Sequence, residues 1–259
     1  MNAPLAFITG ASSGIGQALA QRYLATGWRV ALVGRRDAEM SAWATAQGWP
    51  AERWRVYRAD VSDAGAAIAA GMACLEEQGL PDVVIAAAGI SIGMDTAVRG
   101  DIDVMARTLA LNNVGLAATF HPFIEPMRQR GSGRLVGIAS VAAIRGLPGH
   151  GAYCASKAGV VSYCESLRGE LRGTGVRVVT IAPGFIDTPM TRHNRYTMPF
   201  LMPVDAFAEK AIATITAGRS YRVIPWQMGL VAKALRLLPN AWFDQLLAGR
   251  PRKARQGER

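Results

Sequence analysis

Three side chains in the middle of the chain have types and spacing suited to proton transfer. Tyr153 and Lys157 are four positions apart at the start of a helical pattern, which places them side by side on one helix face. A phenol has a pKa of about 10, and a neighbouring ammonium group lowers that pKa because it favours the phenolate. Ser140 ends a predicted strand 13 residues before the tyrosine. Because a parallel sheet gathers its ligand where its strands end, these residues predict acid–base chemistry at that edge.

A glycine-rich turn follows the first predicted strand. It reads Thr9-Gly10-Ala11-Ser12-Ser13-Gly14-Ile15-Gly16 and leads into a helical pattern from Gln17 to Thr26. Glycines at this spacing permit a tight turn and a close approach of a pyrophosphate to the helix N-terminus. An ordinary βα turn is the alternative, and a P-loop is disfavoured because no Gly-Lys-Ser/Thr ends the loop. We expect dinucleotide contacts from Gly10, Ser12, Ser13, Gly14, Ile15 and Gly16.

The end of the second strand bears on the identity of that dinucleotide. An acidic residue at this place binds the ribose of NAD, whereas an arginine accommodates the 2′-phosphate of NADP. Here the strand is followed by Arg35 and Arg36, which predicts NADP(H) in preference to NAD(H). In the alternative reading the arginines are solvated and Asp37 binds the ribose. Asp60 and Val61, after the third strand, are expected beside the adenine ring, although Asp60 could instead cap the next helix.

The elements that must position these residues alternate between strand and helix. Several strands are continuously apolar, which is typical of strands covered on both faces. Repeated βαβ units with right-handed crossovers predict a Rossmann-like, doubly wound parallel sheet of seven strands with helices on both faces, followed by a C-terminal helical extension. We expect residues 1–259 to form a single dinucleotide-binding oxidoreductase domain. The predicted strands are Leu5–Thr9, Trp28–Val33, Arg53–Arg58, Val83–Ala87, Arg134–Ala139, Val176–Ile181 and Tyr221–Ile224.

Composition limits the class of protein. Half of the 259 residues are apolar and only 19% are charged, which excludes a disordered chain. Three cysteines make no disulfide framework, and we expect reduced thiols and a cytoplasmic location. We expect neither a signal peptide nor a spanning helix. The net charge of +10 indicates an anionic partner, and part of the excess lies in residues 250–259, with five basic side chains and one acidic one.

These motifs, taken together and in order, resemble the short-chain dehydrogenase/reductase superfamily, in its single-domain branch of about 250 residues. The resemblance covers about residues 5–224. Its independent elements are the glycine turn, Asp60-Val61, Asn112-x-x-Gly115, Ser140, Tyr153-x-x-x-Lys157 and Pro183-Gly184 followed by Thr188.

The resemblance implies a role for each matching residue. Tyr153 would be the general acid/base, and Lys157 would lower its pKa and hold the nicotinamide ribose. Ser140 would polarise the substrate oxygen, and Asn112 would hold a water in a proton relay. The nicotinamide end would be lined by Pro183, Gly184, Ile186 and Thr188, and Ala88 and Gly89 would also contact the cofactor.

One motif departs from the family pattern. The family usually has Asn-Asn-Ala-Gly after the fourth strand, and this chain has Ala86-Ala87-Ala88-Gly89. We expect a modest loss of stability and a slightly looser cofactor site, because asparagine hydrogen bonds that tie the central sheet are missing. None of the proton-transfer groups is changed.

Residues from about 187 to 207 are expected to form the mobile lid that this family places over its substrate. The apolar side chains of the lid suit a hydrophobic small molecule, although they could equally pack the lid onto the domain. His150 is expected in a pocket wall or a solvated loop, and no residue set predicts a metal. The lid side chains are Met190, Tyr196, Met198, Phe200, Leu201 and Met202.

Residues 226–259 lie beyond the resemblance. We expect helices over Gln227–Leu238 and Asn240–Ala248, with Asn240 as an N-cap and the basic tail after them. An apolar stripe on the first helix would cover a subunit face or the substrate cleft, and peripheral membrane contact is possible but not favoured. The stripe consists of Leu230, Val231, Ala234, Leu235 and Leu238. The family habit implies a homodimer or homotetramer, formed through the helix with Tyr153 and the helix near Asp101 to Arg128.

The resulting expectation is an NADP-dependent carbonyl reductase or alcohol dehydrogenase. A 3-oxoacyl carrier-protein reductase is the alternative within the enzymes, since a basic surface could receive an acidic carrier protein. A non-catalytic NADP-sensing protein is the alternative outside them. No aromatic-basic motif supports a nucleic-acid partner.

Overall fold

The computed structural model describes residues 3–192, 194 and 196–258. The strands are β1 Leu5–Thr9, β2 Arg29–Gly34, β3 Trp54–Arg58, β4 Val83–Ala86, β5 Gly133–Ile138, β6 Val176–Pro183, β7 Ile186–Asp187, β8 Met202–Pro203 and β9 Tyr221–Ile224. The α-helices are α1 Gly14–Ala25, α2 Asp37–Ala46, α3 Ala64–Glu77, α4 Arg99–Leu109, α5 Gly115–Arg130, α6 Gly151–Glu170, α7 Val204–Thr216, α8 Trp226–Leu237 and α9 Asn240–Leu247.

Seven of these strands form one parallel sheet in the order β3-β2-β1-β4-β5-β6-β9. The predicted fold is therefore confirmed, and each predicted strand is present within two residues at either end. Strand order reverses between β1 and β4, so the crevice beyond their carboxyl ends is the place where this topology binds a ligand.

The central strands are apolar throughout because both faces of the sheet are covered. In β1, Ala6 and Ile8 point into the core under α1 and α7, and Leu5 and Phe7 point into the core under α3, α5 and α6. Phe7 packs against Phe123 of α5 with ring centres 4.9 Å apart. A pleated strand alternates its side chains, so the continuous apolar run serves two cores.

A π-helical turn, Ala110–Val114, connects α4 to α5. These three elements follow one another without a break from Arg99 to Arg130. A single π-turn within a helix shifts the register of the following side chains and is common at functional sites. Here the shifted residue is Asn112, which is buried beside the start of α6.

The C-terminal helices α8 and α9 agree closely with the prediction, but the predicted cap is wrong. Pro239 occupies the N-cap position of α9, and Asn240 is the first helical residue. The Asn240 side chain instead accepts a hydrogen bond of 3.0 Å from Arg145. The Asn240 side chain therefore binds Arg145, which is distant in sequence, and does not cap its own helix.

After α9, residues 250–258 return across the body of the molecule. We call this segment the basic strap. Gly93 donates a hydrogen bond to the Ala254 carbonyl (3.1 Å), and Arg255 forms an ion pair with the buried carboxylate of Asp101 (2.6 Å). The tail is thus anchored by main-chain and side-chain contacts.

Within the described part of the chain, no helix is long and apolar enough to cross a membrane. Cys74, Cys154 and Cys164 are buried free thiols, as expected.

Candidate active site

The glycine turn after β1 packs so closely against its own backbone and the β4 loop that side chains would not fit at two of its glycines. Gly10 has φ +69°, and a Cβ there would lie 2.8 Å from the Ala88 backbone. A Cβ on Gly16 would lie 2.7 Å from the carbonyl carbon of Gly10. The turn is therefore tightly folded against the β4 loop, and the start of α1 faces the crevice with its free N–H groups.

A cleft of about 290 Å³ runs along the carboxyl ends of the strands. Every residue predicted to touch the dinucleotide lines this cleft. They are Gly10, Ser12, Ser13, Gly14, Ile15, Gly16, Arg35, Arg36, Asp60, Val61, Ala88, Gly89, Tyr153, Lys157, Pro183, Gly184, Ile186 and Thr188. A cradle of this shape and composition fits a dinucleotide.

Other lining residues were not predicted to touch the dinucleotide, although Met190 was predicted as a lid residue. Most are the apolar or glycine neighbours of predicted positions, namely Gly34, Ala59, Ala87, Ile90, Leu111, Ile138, Ala139, Pro189, Met190 and Thr191. Thr191 is the informative one. Its hydroxyl donates to the Ile186 carbonyl (2.6 Å) and accepts from the Thr188 amide (3.0 Å), which fixes the loop after β7. The motif Thr188-x-x-Thr191 could have indicated this turn from the sequence.

Two arginines lie at the end of the cleft beside β2. Arg36 donates a hydrogen bond of 2.9 Å to the Ser12 hydroxyl, and Arg35 lies 3.7 Å from the Asp60 carboxylate. Hydrogen bonds from Ser62 hold the pKa of Asp60 below its usual range, with a smaller effect from Arg35. Asp60 caps no helix, because Asp63 accepts from the first turn of α3. The end of the cleft therefore combines two guanidinium groups with one ionised carboxylate.

The loop that departs from the family pattern has a substitute hydrogen bond. The Thr9 hydroxyl on β1 accepts from the Ala88 amide at 3.3 Å and reaches the Ile85 carbonyl at 3.5 Å. The central strands are therefore still linked by a side chain, although from β1 instead of β4. The modest loss of stability stays a prediction.

Asn112 secures the next part of the same loop. Its Oδ1 accepts from the Ile90 amide (2.9 Å), while its Nδ2 donates to the Ile90 carbonyl (3.1 Å) and the Ser156 hydroxyl (2.9 Å). Both amide hydrogens are therefore used, and the side chain does not line the cleft, whereas Leu111 does. A water held at this residue would need its main-chain carbonyl or the second lone pair of Oδ1.

Tyr153 lies at the start of α6, where the dinucleotide cleft meets a second cavity. Burial raises the pKa of its phenol, and a hydrogen bond with Ser140 lowers it by less. The Ser140 hydroxyl also accepts from the Ala142 amide at 3.1 Å, so the serine caps a short 3₁₀ turn as well as facing the tyrosine. The phenol is therefore protonated at neutral pH, the state in which a phenol can donate a proton.

The Lys157 ammonium is buried and donates a hydrogen bond of 2.7 Å to the Ile138 carbonyl. It lies 5.8 Å from the centre of the Tyr153 ring. Burial lowers the pKa of Lys157 to about 8. At the phenol, burial is the largest cause of the shift in pKa, and the Lys157 ammonium is directed at a main-chain oxygen. The lowering of the Tyr153 pKa by this ammonium stays a prediction.

The second cavity has a volume of about 660 Å³ and shares Ser140 and Tyr153 with the cleft. Its walls come from the loop before α6, the lid, α8, α9 and the basic strap. His150 is a pocket-wall residue, 3.4 Å from the Tyr196 hydroxyl. Burial lowers the pKa of this histidine.

The lid contributes less to this cavity than its composition suggests. Met190 and Tyr196 line it, but Met198, Phe200, Leu201 and Met202 do not. Met198 accepts a hydrogen bond from Asn194, and Met202 packs against the core. His193 and Arg195 fall outside the described residues.

Helix α8 covers the cavity with one part of the predicted apolar stripe. Val231 and Leu235 line the wall, whereas Leu230 is 60% exposed. No group of three metal-ligating side chains occurs among the described residues.

Comparison with known proteins assigns this architecture to a family. The sequence model described as short chain dehydrogenase matches residues 4–199. An uncharacterized oxidoreductase of Myxococcus xanthus (strain DK1622) is 39% identical over 242 residues, which cover 92% of this chain and 94% of that protein.

Two solved structures are similar in fold. The 3-ketoacyl-(acyl-carrier-protein) reductase from Brucella melitensis, complexed with NADH, is 27% identical, with a TM-score of 0.76 over 85% of this chain and 94% of that one. A short-chain dehydrogenase from Sphingobium yanoikuyae, in complex with NADPH, is 24% identical, with a TM-score of 0.77 over 96% of both chains.

Proposed function

The chain belongs to the short-chain dehydrogenase family of oxidoreductases, and from this premise we propose that it transfers a hydride between NADP(H) and a carbonyl or hydroxyl carbon of a hydrophobic small molecule. One observation carries the proposal. Ser140 and Tyr153 line both the dinucleotide cleft and the apolar cavity, so a substrate oxygen near them would lie beside the nicotinamide end of the cleft.

Different residues of the cleft are proposed to bind different parts of the dinucleotide. The glycine turn and the start of α1 would receive the pyrophosphate, and Pro183, Gly184 and Thr188, which also line the cleft, would border the nicotinamide. A bound nicotinamide supplies the hydride in reduction and accepts it in oxidation.

Tyr153 donates the proton in reduction. The phenol would give its proton to the carbonyl oxygen of the substrate, and the resulting phenolate would be reprotonated from solvent. Ser140 donates a hydrogen bond to the same oxygen as negative charge develops on it. Because burial keeps the phenol protonated, the resting residue is already in the form that reduction needs.

Lys157 and Asn112 are proposed to support Tyr153 by binding the cofactor ribose and a relay water, respectively. Lys157 would hold the nicotinamide ribose with its buried ammonium, which a hydrogen bond to the Ile138 carbonyl keeps in position. Asn112 would hold a water of the proton relay through its main-chain carbonyl or the second lone pair of Oδ1, because its amide hydrogens already bind Ile90 and Ser156.

The preference for NADP(H) follows from the arginines after β2. Arg35 and Arg36 line the cleft, where a planar guanidinium can bind a phosphate with two hydrogen bonds. Asp37, the ribose ligand of the alternative reading, lies 4.0 Å from Arg58 and does not line the cleft. The neighbours that match the fold bind either nicotinamide dinucleotide, so the arginines carry this part of the proposal.

Absorbance of the reduced nicotinamide tests the function. We would mix the full chain with NADPH or NADH and with ketones, aldehydes, acyl thioesters and sterols in turn. Oxidation of NADPH by at least one apolar carbonyl compound is expected. Binding of NADPH without turnover of any member would favour the non-catalytic NADP-sensing protein.

A 3-oxoacyl thioester is the second candidate substrate. The Brucella melitensis reductase has that activity in its name, and the mouth of the cavity is basic, as an acidic carrier would require. Turnover of acetoacetyl-CoA at a rate well above that of simple ketones would support this candidate.

We also propose a homodimer or homotetramer. Helix α6 exposes Ala155 and Ala158, and Val114 is exposed at the start of α5. Small side chains allow two copies of a helix to approach closely. Light scattering during gel filtration measures the mass, and a monomer at micromolar concentration would contradict the assembly.

A further inference from the structure

The second cavity has an apolar interior and a cationic mouth. Its apolar lining includes the side chains of Phe185, Met228, Val231 and Leu235. Four cationic side chains stand among its described lining residues, and none of those residues is acidic. The four are Arg145, Arg250, Arg252 and Lys253.

Arg145 is occupied by the protein itself. Its guanidinium donates to the main-chain carbonyls of Leu235 and Leu238 and to the Asn240 side chain, and it stacks 3.7 Å above the Phe243 ring. These contacts join α8 to α9. Arg145 is therefore a structural residue of the wall.

Lys253 is also engaged. Its ammonium donates to the Asn194 Oδ1 at 2.6 Å and reaches the Met190 carbonyl at 3.4 Å. This lysine holds the basic strap against the lid. Its charge still acts on the cavity, because it contributes to lowering the pKa of His150 in the wall.

Arg250 and Arg252 differ from the other two. Within the described residues, neither guanidinium has a hydrogen bond or ion pair, although both side chains line the cavity. The aliphatic part of Arg252 packs on Gly149, where a Cβ would lie 3.0 Å from the Arg252 Cβ. Two guanidinium groups are thus held at the mouth without a protein acceptor.

The basic strap is built to stay in this place. A Cβ on Gly93 would lie 2.6 Å from the Ala254 carbonyl oxygen, so only glycine lets the strap seat there. Beyond it, Arg255 pairs with Asp101, which is 5% exposed, and the hydrogen bond from Arg255 holds the pKa of that carboxyl below its usual range. A solvated tail would need neither a glycine seat nor a buried carboxylate.

We propose that the substrate is an oxo or hydroxy compound with an apolar middle and an anionic group at its far end, which Arg250 and Arg252 bind at the mouth of the cavity. The carbonyl end would lie at Ser140 and Tyr153, and the apolar middle would contact the walls of α8 and the lid. This inference rests on the proposed function and adds the class of substrate to it. A carboxylate and a phosphate monoester share the chemistry that a guanidinium recognises.

Calorimetric titration of the full chain tests the anion site without requiring turnover. The probes are decanoate, decyl phosphate and 1-decanol, each added with and without NADP⁺. We expect the two anions to bind about tenfold more tightly than the alcohol, since a charge-assisted hydrogen bond is stronger than a neutral one. The anion that binds more tightly identifies the anionic group of the substrate as a carboxylate or a phosphate.

The matched variants are Arg250→Gln with Arg252→Gln, and Arg236→Gln as the control. Arg236 is an exposed arginine of α8 that does not line the cavity. The double variant is expected to lose about tenfold in affinity for the anions and to bind the alcohol unchanged. The control should match the wild type. Equal binding of anions and alcohol, or equal binding by the double variant and wild type, would overturn the proposal.

A turnover experiment separates this inference from the proposed function. With NADPH, 9-oxodecanoate should have a kcat/KM about tenfold above that of its methyl ester, and the double variant should remove the difference. Absence of turnover of every oxo compound, together with tight binding of decanoate, would reject the reductase and keep the anion site. Equal turnover of acid and ester would keep the reductase and reject the anion site.

Discussion

The Lys157 ammonium lies 5.8 Å from the centre of the Tyr153 ring and donates its hydrogen bond to the Ile138 carbonyl. The two residues share one face of α6, yet the pKa of each side chain is shifted mainly by its own burial. Burial raises the pKa of the phenol and lowers that of the amine to about 8. At neutral pH both groups therefore carry their protons, which suits proton donation to a carbonyl.

This relationship predicts how reduction depends on pH. An amine with a lowered pKa loses its proton at lower pH than an exposed lysine, so Lys157 is charged below pH 8 and neutral above it. We expect kcat/KM for NADPH to fall about tenfold per pH unit above about pH 8, because that ratio follows the free enzyme. Initial rates from pH 6 to 10 measure the profile.

Lys157→Arg is the control for this assignment. Arginine stays charged throughout the range, so its profile should lack the fall near pH 8, whatever its absolute rate. A wild-type profile that is flat through pH 9 would contradict the role of the ammonium.

Cofactor preference should depend on Arg35. In Arg35→Asp, a carboxylate replaces the guanidinium at the end of the cleft and repels a 2′-phosphate. The ratio of kcat/KM for NADPH to that for NADH is expected to fall at least about tenfold, the value of one charged hydrogen bond. Arg53→Asp, which changes charge at a residue outside the cleft, should leave the ratio unaltered. An unchanged ratio in Arg35→Asp would remove this arginine from the phosphate site.

Asn112 is expected to support both stability and cofactor binding. Asn112→Ala leaves the Ile90 amide and carbonyl and the Ser156 hydroxyl without their partner, so we expect the free energy of unfolding to fall by about 2–3 kcal/mol. The KM for NADPH should rise, because Ile90 lines the cleft. Urea denaturation and initial rates give the two values.

Asn113→Ala is the matched control, since its side chain makes one hydrogen bond, to the Ser156 carbonyl, and its Oδ1 is buried without a partner. The free energy of unfolding should fall by less in this variant, by about 1 kcal/mol. An equal decrease in the free energy of unfolding in the two variants would mean that the hydrogen bonds between Asn112 and Ile90 contribute little to stability.

The seat of the basic strap can be tested by proteolysis. Gly93→Ala places a Cβ against the Ala254 carbonyl and should lift the strap from its seat. We expect trypsin to cut after Arg252 and Lys253 about tenfold faster than in the wild type, since cleavage needs a locally open chain. Gly100→Ala is the control, because nothing lies within 4 Å of a Cβ at that position. Equal cleavage of all three proteins, measured by mass spectrometry, would show that the strap is already free.

Sequence reasoning predicts those parts of the site that local patterns determine. The glycine turn, the four-residue spacing of Tyr153 and Lys157 and the apolar strands each follow from backbone geometry, and the structure places their residues along one cleft. The family assignment and the parallel sheet are confirmed.

What the sequence did not predict depends on contacts between distant residues. The basic strap reaches Gly93 and Asp101 across some 150 positions, and no periodicity encodes such a pairing. Asn240 has a good capping side chain, but Arg145 takes it. The Lys157 ammonium is directed by Ile138 on another strand, so its effect on Tyr153 could not be judged from the spacing alone.

The central claim is that the Tyr153 phenol is the proton donor beside the nicotinamide. Its most direct measurement compares Tyr153→Phe with Tyr163→Phe, which removes a hydroxyl from the same helix outside the cleft. We predict that Tyr153→Phe lowers kcat for NADPH-dependent reduction about 10³-fold while the Kd for NADPH stays within about twofold, and that Tyr163→Phe keeps wild-type activity. Retention of kcat in Tyr153→Phe would contradict the account.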